Sequence, residues 1–166
     1  MRRRGPDQAE ATARNYAGAV YGSLLAASVI ATAGALGSFP RLRLVVMLLT
    51  TGLVFWITHV YAHLVGDRLV NQAPSWELVR HEARMQWPIG QAALPPAAAV
   101  ALSPFLGLSA GDTAWLGLAV AVAEQVAWAT AAVVRAGAPR RLVAINGAVN
   151  LLLGLAIVTA KAAVQH

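Results

Sequence analysis

Leu44–Gly66, LVVMLLTTGLVFWITHVYAHLVG, is a run of 23 residues without an aspartate, glutamate, lysine or arginine. A helix of that length crosses the hydrocarbon core of a bilayer, which takes roughly 20 residues at 1.5 Å each. Yet the run carries His59 and His63 one helical turn apart, and Asp67 follows at the same spacing. Positions i, i+4 and i+8 lie on one helix face, about 6 Å apart along the axis. Ionisable groups in an apolar span are costly and face protein or water rather than lipid. Any chemistry in this chain is therefore sought first on that face.

Four more apolar runs accompany this one. The five spans predicted are residues 16–37, 44–66, 88–108, 113–134 and 142–164, behind a basic tail at 1–15. Only 12% of the 166 residues are charged and the mean hydropathy is +0.59. A soluble domain carries roughly a quarter charged residues, so the fold expected is an all-α polytopic membrane helix bundle. The first run, Tyr16–Gly37, exceeds the 7–15 apolar residues typical of a signal peptide and is read as an uncleaved helix. Gly18, Gly22 and Ala26 recur at intervals of four along it, which suits close packing inside the bundle.

Between the second and third runs, Ser75 precedes Trp76, Val79, Ala83 and Trp87 at helical spacing. That pattern predicts a short amphipathic helix over about 75–87, capped by Ser75 and lying at the membrane interface. Beyond it, Pro95, Pro96 and Pro104 remove backbone donors and should kink or break the third span. Asp112 is the N-cap expected for the fourth, and Lys161 near the end of the fifth is expected to snorkel to the interface.

The net charge of +6 would suggest nucleic acid in a soluble protein, but here topology accounts for it. With five spans, Arg2, Arg3, Arg4, Arg14, Arg68, Arg80, Arg84, Arg135, Arg140 and Arg141 share one side. Only Arg41, Arg43 and Lys161 fall on the other. The positive-inside rule puts the N-terminus in the cytoplasm and the C-terminus outside, in a cell inner (plasma) membrane. The partners expected are the lipid bilayer and a second copy or another membrane protein, with no nucleic acid.

No enzyme motif is complete. There is no cysteine, and no G-x-S-x-G or phosphate-cradling glycine loop appears. His81-Glu82 begins a zinc-protease signature, but Met85 stands where the second histidine is needed. The polar groups that remain sit at overlapping depths. His59 and His63 fall in the cytoplasmic half of the second span, with Asp67 at its end. Glu124 and Gln125 lie at the middle of the fourth span. Gln91 on the third and Asn146 on the fifth fall in the cytoplasmic half, and Asn150 is central.

If they converge, three functions compete. A proton or cation pathway would use His59, His63 and Glu124, with Asp67 at the cytoplasmic entrance and Gln91, Gln125, Asn146 and Asn150 as supporting hydrogen-bond partners. A metal site would use His59 and His63, with Asp67 or Glu124 completing a set suited to zinc or another transition metal, and possible catalysis at it. The third reading is a non-catalytic structural or accessory subunit whose polar groups fix helix register.

The segments FWITHVYAHLVGDRL, RHEARMQWPIGQAALPP and NGAVNLLLGLAIVTAKA resemble those of small integral membrane proteins of high-GC actinobacteria. The resemblance implies a self-contained membrane unit and no particular activity.

Overall fold

The computed structural model describes residues 6–35, 40–68 and 75–164, with side chains at 15–33, 40–66 and 75–163. Arg2, Arg3 and Arg4 lie outside the described residues, as do the connections at 36–39 and 69–74. The described chain is helical, without a strand: α1 Pro6–Ala35, α2 Arg41–Arg68, α3 Trp76–Gln91, α4 Leu94–Leu102, a 3₁₀ turn Ser103–Leu106, α5 Ala110–Arg135 and α6 Arg140–Val164. Among the described residues, five segments are long and apolar enough to cross a membrane: Asn15–Ala33, Arg41–Gly66, Trp76–Leu106, Ala110–Arg135 and Arg140–Ala163. An all-α bundle of five candidate spans is what the hydropathy predicts.

α1 is the central helix, packed against α2, α3, α5 and α6. Its small residues make this possible. A Cβ on Gly22 would stand 2.5 Å from the carbonyl oxygen of Ile89 and 2.8 Å from the Ala92 side chain. Gly18 also faces Ile89, so this face serves packing within the chain. The core continues outward through Ala26, Ala27 and Ile30 on α1, Leu44 and Leu48 on α2, Val100 on α4, and Leu118 and Ala121 on α5. The opposite faces of α2 and α6 carry exposed Leu42, Val46, Leu53, Ile57, Leu152 and Leu155. Such surfaces suit lipid.

The third span is divided differently from the sequence expectation. Ser75 does cap α3, its hydroxyl accepting from the Leu78 amide at 3.3 Å. However, α3 runs straight through Pro88 to Gln91 and packs on both α1 and α2. The amphipathic stretch does form a helix of its own, α3, but it extends past Pro88 and together with α4 makes up one 31-residue candidate span. The interruption falls at Ala92–Ala93, because Pro95 and Pro96 occupy the first turn of α4, where missing amide donors cost nothing. Pro104 starts the tighter turn that ends the span, and Gly107 at φ 66° closes it.

α5 begins three residues earlier than the sequence reading places it. Ser109, not Asp112, is the N-cap: its hydroxyl accepts from the Asp112 amide at 3.2 Å while the Asp112 carboxylate accepts from the Ser109 amide. This reciprocal box satisfies two orphan donors at once.

Candidate functional site

Two registers decide which polar residues meet. Between α2 and α3, Gly52 lies against Ala93, and the Trp56 indole donates to the Ala83 carbonyl at 2.8 Å. This antiparallel pairing carries His59 to the level of Gln86 and His63 to that of Glu82. Between α4 and α5, Thr113 bonds Ser103 at 2.9 Å and Gly117 faces Val100. That pairing carries Glu124 to the level of the Ala92–Ala93 break.

The two registers are on different sides of the bundle. α1 and α4 each pack against both α2 and α5 and stand between them. The expected convergence of His59, His63 and Glu124 is therefore not formed. His59 turns to α1, its ring 5.4 Å from that of Tyr21. Its Nδ1 lies 2.9 Å from the Phe55 carbonyl oxygen, and Nδ1 of His63 lies 3.1 Å from that of His59. A carbonyl can only accept, so each ring donates from Nδ1, and in the neutral form its Nε2 is an acceptor. Asp67 lies in the last turn of α2, its side chain outside the described residues. Among the described residues, no group of three or more His, Cys, Asp or Glu could hold a metal ion.

The half-buried Glu124 carboxylate has two unequal oxygens. One accepts from the Trp128 indole at 3.0 Å, across one turn of α5. The other is buried without a hydrogen-bond partner among the described residues. At the same level, Pro95 and Pro96 lack the N–H groups that would bond the carbonyls of Gln91 and Ala92 in a continuous helix. A carboxylate oxygen and helix-end carbonyls at one depth are ligands of the kind that take a proton or a hard cation.

Gln125, Asn146 and Asn150 form a separate seam between α5 and α6. The fully buried Gln125 amide donates to the Asn150 backbone oxygen at 3.1 Å and side-chain oxygen at 3.3 Å. Asn146 donates to the Ala129 carbonyl at 2.8 Å and Asn150 to that of Asn146 at 3.0 Å. The amide donors of this seam hold two helices together, while the Gln125 Oε1 is buried without a hydrogen-bond partner among the described residues.

Gln91, half-buried, lines a different feature. A cleft of about 430 Å³ opens between α1, α3 and α5, walled by Asn15, Tyr16, Arg84, Trp87, Gln91, Trp128 and Arg135. Trp128 is shared: its ring lines the cleft, and its N–H holds Glu124 one turn deeper.

Sequence reasoning missed Gln86 as a buried polar group and Glu82 as a half-buried one. The Gln86 amide nitrogen and one Glu82 oxygen have no partner among the described residues. The clue was a helix carrying both groups between two tryptophans, which an interfacial placement left in water. Lys161 does not snorkel. It is 2% exposed, its ammonium 4.2 Å from the Trp115 ring centre, because the end of α6 packs over the start of α5.

Comparison of the chain with protein-family models, curated proteins and solved structures finds no match.

Proposed function

We propose that this is a multi-pass inner-membrane protein that handles protons or a small cation at Glu124. The observation that carries the reading is the Glu124 oxygen that is buried without a partner among the described residues, at the level of the broken third span. A buried acceptor of this kind is costly unless something occupies it, and a proton or cation is the simplest occupant. Backbone irregularity at membrane depth is tolerated against protein or a wet cavity, which fits a site beside the break. Trp128 separates the carboxylate from the cleft between α1, α3 and α5, so rotation of that ring is the step that would connect the two.

The excess of arginine on one side argues for a cytoplasmic N-terminus, an external C-terminus and a cleft that opens to the cytoplasm. His59 and His63 are left as a second polar group on the α1–α2–α3 side, beside Glu82 and Gln86. A bundle of this size works with partners in the bilayer, a second copy or another membrane protein.

The test is proton and metal-ion flux into liposomes containing the purified protein. Flux in the native chain that disappears in Glu124→Gln, with helical content and melting temperature kept, is the expected result. An inactive native protein, together with a Glu124→Gln variant that merely melts earlier, would transfer the assignment to a structural subunit. The seam of Gln125, Asn146 and Asn150 specifically favours that second reading, since its amide donors are all engaged between α5 and α6.

A further inference from the structure

We infer that the cleft between α1, α3 and α5 is a binding site for a phosphate-bearing anion, gripped between Arg84 and Arg135. The two arginines come from different helices and line one cavity of about 430 Å³, a volume typical of ligand sites. Bringing two guanidinium groups to one wall is unfavourable without a counter-charge, and no carboxylate lines the cleft among the described residues. Arg135 lies over the Tyr16 ring, 5.6 Å from its centre. Arg84 has no hydrogen bond or ion pair with a described residue. Neither fork is engaged by a carboxylate among the described residues. A guanidinium matches phosphate oxygens in a bidentate manner, and Asn15 and Gln91 add amide donors beside it.

Depth points to a phospholipid headgroup as the source. The third crossing segment, Trp76–Leu106, has 31 residues. At 1.5 Å each it is about 46 Å long, against roughly 30 Å of hydrocarbon. Counted back about 20 residues from Leu106, the hydrocarbon boundary falls at Trp87, and Arg84 stands one turn beyond it. The same count from Ala110 ends near Ala129, which leaves Arg135 roughly 9 Å into the headgroup layer. Asn15 is the first residue of its apolar segment. The polar walls of the cleft therefore lie where lipid phosphates lie, and Trp87 and Trp128 sit where interfacial tryptophans anchor. This inference does not depend on the ion-handling reading, because Glu124 does not line the cleft.

The test compares full-length protein, the R84Q/R135Q variant and the exposed control R141Q, purified and mixed with phosphatidylglycerol or phosphatidylcholine. Retained lipid is measured by native mass spectrometry, and melting temperature is followed with each lipid and with inorganic phosphate. The expected result is phosphatidylglycerol retention by the native protein and R141Q, reduced at least tenfold in R84Q/R135Q. A stabilisation by inorganic phosphate that the double variant loses, without lipid retention, would keep the site and identify a soluble phosphate as its source. Equal retention by all three proteins, or no response to either anion, would overturn the proposal. Should the double variant misfold, R84Q alone gives the same readout, since Arg84 makes no hydrogen bond or ion pair with a described residue.

Discussion

The Trp128 indole donates to one oxygen of Glu124 at 3.0 Å, one turn along the same helix, and the other oxygen is buried without a partner among the described residues. A single side chain thereby fixes the carboxylate and covers it from the cleft. Trp128→Phe keeps the aromatic wall but removes the donor. We expect a stability loss of about 1 kcal/mol, the usual net worth of such a bond. We also expect a changed pH profile of flux, read in liposomes beside a melting curve. An unchanged profile would separate Trp128 from the working site.

Gly22 tests the central packing. A valine there would drive its branch into the Ile89 carbonyl, which is backbone and cannot step aside. Overpacking of this kind costs about 1–3 kcal/mol. Gly66, beside which an added Cβ would meet nothing within 4 Å, is the control. Unfolding in mixed detergent should show Gly22→Val strongly destabilised and Gly66→Ala nearly neutral.

The α5–α6 seam predicts an energetic coupling. A double-mutant cycle with Gln125→Leu and Asn150→Leu should give an interaction energy near 0.6 kcal/mol, the average for hydrogen bonds between membrane helices. Additive effects would mean that the seam contributes shape but no bond energy.

His59 and Glu124, by contrast, should not couple. α1 and α4 stand between their helices, so the stability effects of His59→Ala and Glu124→Gln should add to within about 0.3–0.5 kcal/mol. A larger deviation would place the two residues in one network and restore the single-cluster arrangement that their depths suggest.

Lys161 offers the clearest effect on stability. Its ammonium is buried against Trp115 without a hydrogen-bond partner among the described residues. Lys161→Met keeps the length and the ring contact while removing the charge, so it should be neutral or stabilising in a thermal melt. Trp115→Ala should destabilise, since it uncovers the ammonium.

Local rules were legible in the chain. Each span must satisfy its own backbone hydrogen bonds in lipid, so the run of apolar residues, the cap at Ser75 and the prolines at 95, 96 and 104 mark helices and breaks directly. The depth of each polar residue followed from counting along the axis. Boundaries moved where two signals overlapped: the Ser109–Asp112 box outbid a lone aspartate cap. The amphipathic helix also ran past Pro88 to Gln91, four residues beyond the boundary that proline suggested.

Rotation and neighbourhood were settled only by tertiary packing. Lipid is as apolar as leucine, so no periodicity marks which face of α2 or α5 meets protein. The sequence could set His59, His63 and Glu124 at similar depths, but not reveal that α1 would pass between them. That choice belongs to the small residues at 18 and 22, whose missing side chains let α1 close on α3 and occupy the centre. The same closure brings Arg84, Arg135, Asn15 and Gln91, scattered over 121 residues of chain, to one cleft.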